Sequence, residues 1–262
     1  MDLMTLLAAG ALAGTAAGLL GIGGGVIIVP VLSLVFEAQG VSPEIIIKVA
    51  VGTSLATISL TAVSSIWAHH RRGAVRWPLV KTMTPGVVAG SFLGAWLADL
   101  IPGYWLTLGF VTFLMLVSLQ MAWGPVSAGR GLPGAWVLRS VSAVVGCVSA
   151  LMGIGGGALH VPYLSWCGVP VKQSIATAAA IGLPLALAST LGFVITGQDE
   201  LNLPEFSLGY VNLPAFAGVV AASILFAPLG ARLAHQLPDR VIKRLFAVFL
   251  FVLAVRMGFK ML

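Results

Sequence analysis

Long apolar stretches, separated by short polar or charged connections, fill most of this chain. They occupy about residues 3–36, 45–68, 79–101, 104–123, 135–166, 173–196, 208–231 and 241–259. A helix that spans a bilayer needs roughly 20 apolar residues, and lipid requires the backbone polar groups of each segment to bond within that segment. The pattern therefore predicts an all-α integral membrane protein.

Two of the stretches are interrupted by the same pentapeptide. Gly-Ile-Gly-Gly-Gly occurs at residues 21–25 and again at residues 153–157, each time with a proline five residues later. A continuous helix over residues 3–36 would be about 50 Å long, against a hydrocarbon core of roughly 30 Å. Because glycine weakens a helix interior, we predict that each pentapeptide is the tip of a re-entrant hairpin whose bare backbone is covered by protein or water.

The pentapeptides belong to a duplication that runs through the whole chain. Residues 19–30 (LLGIGGGVIIVP) align without a gap with residues 151–162 (LMGIGGGALHVP), at an offset of 153 − 21 = 132 residues. The register continues with small shifts, so that Lys48 and Thr53 correspond to Lys172 and Thr177. We predict one transport domain, with a first membrane repeat at residues 1–123, a linker at residues 124–134 and a second repeat at residues 135–262.

Charge favours re-entrant over spanning tips. Only 8% of the residues are charged, against about 25% in soluble domains, and the basic ones are expected on the cytoplasmic side. With the loop from His69 to Lys81 inside, re-entrant tips place 11 basic residues inside and three outside, whereas spanning tips give 8 and 6. A hairpin plus three transmembrane helices crosses an odd number of times, so we predict two inverted repeats. The net charge of +6 is ordinary for such a protein, and no nucleic-acid partner is expected.

The two breaks are the predicted substrate site. Bare amides and the start of a helix offer positive potential to a small oxyanion, although glycines also allow helices to pack closely. Threonine and serine hydroxyls near the start of the following helix can donate to the same anion, or else bond to their own helix. The predicted substrate-binding residues are Gly21, Gly23, Gly24, Gly25, Thr53, Ser54, Gly153, Gly155, Gly156, Gly157 and Thr177, with Gln173 a weaker candidate.

A few further residues are candidates for supporting roles. His160 stands where the first repeat has Ile28 and is a candidate for proton coupling, the alternative being a neutral histidine bonded to a backbone carbonyl. The matched Lys48 and Lys172 can attract anions or extend to the interface. Cys147 and Cys167 have no metal-binding spacing, so the sequence predicts no metal, no other cofactor and no catalytic residue.

A family resemblance follows from the doubled motif. Two copies of GxGGG-x4-P, each followed by a helix start with a threonine (AVGTSL at 50–55, SIATAA at 174–179), resemble the TauE/SafE sulfite exporter family over essentially the full chain. The resemblance implies a multi-pass transporter of the bacterial inner membrane that moves sulfite, sulfoacetate or a related anion, often outward. Ala178 replaces the serine of the first repeat, which leaves the identity of the anion open.

The sequence thus predicts a secondary transporter with alternating access, whose partners are a small anion and the lipid bilayer, with a homo-oligomer allowed. An anion channel lined by the same backbone is the alternative. A membrane enzyme is disfavoured because no nucleophile motif stands out. The chain also lacks the GxxxxGK[ST] phosphate loop of ATP-driven pumps.

Overall fold

A computed structural model describes residues 3–20, 24–123, 129, 131–236, 247–248, 251–252 and 254–257. Within these residues the helices are α1 (Leu3–Leu20), α2 (Gly25–Ala38), α3 (Pro43–His70), α4 (Trp77–Leu100), α5 (Gly103–Trp123), α6 (Ala135–Met152), α7 (Gly157–Trp166), α8 (Val171–Thr196) and α9 (Leu213–Gln236). Two-residue strands, β1 (Ser207–Leu208) and β2 (Val211–Asn212), pair antiparallel before α9. The protein is therefore helical, as the apolar pattern predicts.

Helices α3 and α8 form the centre of the bundle. Of the described helices, α3, α6, α8 and α9 are long and apolar enough to cross a membrane. The buried share of the most apolar 18-residue window is 78% in α3 and 61% in α8, against 39% in both α6 and α9. The protein is a multi-pass membrane protein, with α3 and α8 enclosed by the other helices.

Both predicted breaks are present. Helix α1 ends at Leu20 and α2 begins at Gly25, while α6 ends at Met152 and α7 begins at Gly157. Gly24 and Gly153 have φ of 78° and 65°, a left-handed conformation that glycine adopts without steric cost. Gly21 and Gly23 lie outside the described residues, as do most of the predicted linker and much of the last apolar stretch.

Helix α1, the first arm before a break, packs along α9 of the other half. The contacts are Gly10 with Val219, Gly14 with Ser223 and Gly18 with Ala227. A Cβ added at Gly14 would lie 2.7 Å from the Cα of Ser223, so the two backbones touch. At these contacts the residue numbers of α1 and α9 rise in the same direction, so the two helices run parallel.

Helix α6, the matching arm of the second half, packs in the same way along α4 of the first. The contacts are Gly86 with Arg139, Gly90 with Ala143 and Gly94 with Cys147. These two helices also run parallel, and small residues again allow close approach of the backbones. Each half therefore places its first arm against a helix of the other half.

Different contacts mark the two ends of the bundle. Helix α3 begins and α4 ends at one end of the bundle, which is named the Asp99 end. There the ammonium of Lys48 donates to the Asp99 carbonyl. The Tyr210 hydroxyl donates to the Asp99 carboxylate at 2.7 Å. At the opposite end, named the Arg76 end, α4 and α8 both begin. There the Arg76 amide donates to Thr177 Oγ1 at 3.1 Å.

Charged side chains are divided between these ends. The acidic residues that the structure describes lie toward the Asp99 end: Glu37, Glu44, Asp99, Asp199, Glu200 and Glu205. Basic residues toward the Arg76 end are Arg71, Arg72, Arg76, Lys81, Lys172 and Arg232. Lys48 lies at the acidic end, with its ammonium 3.9 Å from the Asp99 carboxylate.

Candidate functional site

The tips of the two breaks touch each other inside the bundle. A Cβ added at Gly25 would meet the carbonyl of Gly153 and would lie 2.9 Å from the Cα of Ile154. The Ser54 hydroxyl, on α3, donates to that same Gly153 carbonyl at 2.8 Å. The structure thus brings together three of the predicted site residues, one from each tip and one from the central helix.

A small cavity lies beside this contact. Its volume is about 10 Å³, the room needed by roughly one water molecule. It is lined by Ala17, Ile58, Ala62, Ser65, Gly155, Ala179 and Gly182. An anion with several oxygens is larger than this, so the tips must separate before such an anion can enter.

Helix starts face this region from both halves. Helix α2 begins at Gly25 and α7 at Gly157, and the first amides of a helix have no partner within it. The start of a helix also carries a partial positive charge. A Cβ added at Gly182, on α8, would lie 3.8 Å from the amide nitrogen of Gly156, which places that amide next to the cavity.

The matched threonines connect the two halves. Thr53 Oγ1 accepts a hydrogen bond from the Asn212 amide, just before α9, at 2.9 Å. Thr177 Oγ1 accepts one from the Arg76 amide, just before α4, at 3.1 Å. Both side chains are fully buried, so each threonine holds the start of a helix in the opposite half. A hydroxyl that accepts also retains a hydrogen to donate, and the ligand role of both stays a prediction.

His160 is bonded within its own tip. Its Nδ1 lies 2.8 Å from the Gly156 carbonyl oxygen, and because a carbonyl only accepts, Nδ1 must carry the hydrogen. In a neutral ring Nε2 is then an acceptor. That atom is buried and has no hydrogen-bond partner among the described residues. The ring is thus bonded to a backbone carbonyl, as in the alternative interpretation of the sequence, and proton coupling stays a prediction.

Two residues near the tips were not predicted from the sequence. Ser65 lines the cavity, and its hydroxyl is buried without a partner among the described residues. His69 was assigned to the charged loop, but α3 continues through His70 and His69 Nε2 lies 3.1 Å from the Gly18 carbonyl oxygen. Ser65 could have been found from the duplication. Ser189 occupies the matching position in the second half, because 189 − 65 equals the offset of 124 between Thr53 and Thr177.

Lys48 and Lys172 lie at opposite ends of the bundle. The Lys48 ammonium also lies 5.7 Å from the centre of the Tyr210 ring, and burial together with the Asp99 hydrogen bond raises the pKa of the Tyr210 phenol. Lys172 is exposed at the Arg76 end. Beside it, Arg76 Nε donates to Gln173 Oε1 at 2.6 Å.

The cysteines lie apart from the tips. Cys147 and Cys167 are both free thiols, and Cys147 lies against Gly94 in the contact between α4 and α6. In the described part of the chain, no three histidine, cysteine or acidic side chains are close enough to bind a metal ion together.

Comparison with known proteins identifies close relatives over the full length. The family model "Sulfite exporter TauE/SafE" matches residues 6–257. A "Probable membrane transporter protein" of Haemophilus influenzae is 33% identical over 264 residues, with 98% of each chain covered. Proteins of the same description from Xylella fastidiosa and Methanocaldococcus jannaschii are 31% and 27% identical, covering 97% and 96% of this chain and 94% of each relative. No protein of solved structure matches the chain significantly.

Proposed function

The chain belongs to the TauE/SafE sulfite exporter family, and from this membership and the geometry of the tips we propose that it is a secondary transporter of a small sulfur-containing or organic anion. Sulfite and a sulfonate such as sulfoacetate are the substrates proposed first. Its relatives carry the description of membrane transporters. The proposed location is the inner membrane of a bacterium and the proposed direction is outward.

The observation that carries the proposal is the contact between the two glycine-rich tips, next to one small cavity and to the Gly156 amide at the start of α7. Amides of Gly24, Gly25, Gly156 and Gly157 supply donors and positive potential without a formal charge, which suits a singly or doubly charged oxyanion. Ser54 and Ser65 add hydroxyls on α3. An anion bound here replaces the direct contact between Gly25 and Gly153.

We also propose that the two halves are inverted repeats with re-entrant tips. The exchange of first arms supports this, since α1 runs parallel to α9 and α6 runs parallel to α4. Matched threonines bond to matched positions of the opposite half, as a two-fold axis in the membrane plane requires. Transporters of this architecture bind substrate at the midplane, where broken helices meet.

Labelling of single cysteines tests this topology. We expect a cysteine at Arg71 to react only from the cytoplasmic side and a cysteine at Asp199 only from the opposite side, in a background without Cys147 and Cys167. The reason is the separation of basic and acidic residues between the two ends. Reaction of both cysteines from the same side would contradict the inverted arrangement.

Alternating access then requires contacts at the two ends to open in turn. At the Asp99 end, the Tyr210 hydroxyl joins the segment before α9, in the second half, to Asp99 of the first half, while Lys48 bonds to Asp99 within the first half. At the Arg76 end, the contact of Arg76 with Gln173 joins α4 to α8. Rocking of the halves would release one set while the other holds, and His160 Nε2 is the proposed acceptor of a coupled proton.

Gly182→Ala is the direct test of the anion site. The added methyl group makes an ordinary contact, with its Cβ 3.8 Å from the Gly156 amide nitrogen, so the fold should be retained. It occupies the space through which an anion reaches that amide, and losing one such hydrogen bond to a charged group costs about 1.5–3 kcal/mol. We expect anion affinity to fall by roughly 10- to 100-fold.

The measurement is thermal stabilisation of purified protein by sulfite, thiosulfate, sulfate, sulfoacetate, taurine and carboxylates, because a ligand of the folded state stabilises it. Saturable counterflow in proteoliposomes separates a transporter from a channel. Gly109→Ala is the matched control, since its Cβ would meet only Met152 Cε at 3.5 Å. Unchanged affinity in Gly182→Ala would place the anion elsewhere.

A further inference from the structure

Four serines on three neighbouring helices are fully buried without a hydrogen-bond partner among the described residues. They are Ser91 on α4, Ser142 and Ser149 on α6, and Ser189 on α8, and they are named the hydroxyl seam. A buried hydroxyl in a helix usually donates to the carbonyl four residues earlier, as Thr57, Thr61 and Thr84 do here. Because an unpaired buried polar group costs about 1–3 kcal/mol, a polar ligand at these four hydroxyls would stabilise the protein.

The serines lie at one junction of α4, α6 and α8. Ser142, Gly146 and Ser149 share a face of α6 because they are four and three residues apart. A Cβ added at Gly146 would lie 3.0 Å from Ser91 Oγ, so the Ser91 hydroxyl lies between the two α6 serines. Ser189 is one turn before Gly192, where α8 contacts α4.

The seam leads toward the second tip. Arg139 is one turn before Ser142 on α6. Its Nε is buried without a hydrogen-bond partner among the described residues, and its guanidinium carbon lies 5.3 Å from the centre of the Trp136 ring. At the other end, Ser149 lies in the last turn of α6, and its carbonyl accepts from the Ile154 amide at 3.0 Å. From Arg139 to Ser149 the helix rises about 15 Å, from the side of the Arg76 end toward the glycines.

The charge of Arg139 decides which kind of solute suits the seam. A hydroxyl can coordinate a cation or donate to an anion, but a guanidinium stays positively charged and repels cations. The acidic residues that the structure describes lie toward the Asp99 end. The chemistry of the seam therefore favours an oxyanion or sulfonate that accepts hydrogen bonds.

We propose that Arg139 and the hydroxyl seam form the route by which the anion moves between the Arg76 end and the second tip. This inference rests on the proposed function, since it assigns a path to the same substrate. The α6 part of the route has no counterpart in the first half, whereas Ser189 on α8 corresponds to Ser65 on α3. At the offset of 132, the counterparts of Ser142 and Ser149 are Gly10 and Ala17, which have no hydroxyl.

Cysteine reactivity tests the route without relying on transport. Ser149→Cys is made in a background with Cys147→Ala and Cys167→Ala. Its rate of reaction is measured with two thiosulfonate reagents, an anionic sulfonatoethyl one and a cationic trimethylammonium-ethyl one. Each rate is divided by the rate at which the same reagent reacts with a small free thiol in solution. Ala150→Cys is the matched control, because Ala150 is the next residue, is equally buried and packs on Gly94. Ser142→Cys reports on the same route if Ser149→Cys does not fold.

We expect the anionic reagent to react roughly tenfold faster at Ser149→Cys, the preference that a positive charge about 15 Å away gives at an effective dielectric constant of roughly 30. Arg139→Gln should remove this preference and Arg139→Lys should retain it, while Ala150→Cys stays unreactive. Equal rates for both reagents would show a water path without anion selectivity, and no reaction would show a closed seam; either result overturns the proposal.

Failure of the route and failure of the proposed function are distinguishable. Thermal stabilisation by the anion panel is measured in the same cysteine-free background. If anions stabilise the protein and the seam is unreactive, the route is wrong and the transporter proposal stands. If the seam prefers the anionic reagent and no anion stabilises the protein, the substrate class is wrong and the route stands.

Discussion

Gly25→Ala is expected to lower anion transport by roughly 10- to 100-fold, because overpacking a tight contact costs about 1–3 kcal/mol. The new Cβ would meet the Gly153 carbonyl and would lie 2.9 Å from both Ile154 Cα and Ile58 Cδ1. The side chain of Ile58 can turn away, but the backbone of the opposite tip cannot. The tips would be held apart in every state of the cycle.

Counterflow of labelled anion in proteoliposomes measures this effect, normalised to the amount of inserted protein. Gly109→Ala adds the same methyl group to a helix where only a flexible methionine is near, and it should transport normally. Wild-type counterflow by correctly inserted Gly25→Ala would mean that contact of the tips has no part in transport.

Gly90→Ala is expected to destabilise the whole protein. A Cβ at this position would meet the Ala143 carbonyl and would lie 2.7 Å from the Ala143 Cα, which forces α4 and α6 apart along their full contact. At about 1–3 kcal/mol for overpacking, the apparent melting temperature should fall by roughly 2 to 12 °C.

The control variant Gly109→Ala should not lower the melting temperature. Alanine is favoured over glycine in a helix interior by up to about 1 kcal/mol, so Gly109→Ala should raise the melting temperature slightly or leave it unchanged. Thermal unfolding followed by size-exclusion chromatography in detergent measures both variants. Equal melting temperatures would mean that α4 and α6 are not in contact through their backbones at Gly90.

The apolar segments and their two breaks could be predicted because composition along the chain determines both. Length excluded a continuous helix over residues 3–36, and the glycines marked where it had to end. The exchange of first arms could not be predicted. Glycines at every fourth residue occur on α1 and on α4 alike, and such a stripe permits close packing without specifying the partner.

The candidate site was predicted in part. Duplication drew attention to Thr53 and Thr177, but the amides that bond to them lie 159 and 101 residues away, beyond any local pattern. His69 shows the opposite difficulty. Its neighbours His70, Arg71 and Arg72 made the segment resemble a polar loop, whereas the packing of α1 against α3 buries it beside the Gly18 carbonyl.

The exchange of first arms also determines the order in which the molecule can be completed during synthesis. Helix α4 precedes α6 in the chain, so their contact can close as soon as α6 leaves the ribosome. Helix α1 must wait for α9, whose last residue is 236 − 20 = 216 positions after the end of α1. At about 5–20 residues per second this interval is roughly 10 to 40 s. The arm that is made first, α1, is therefore the arm that is packed last.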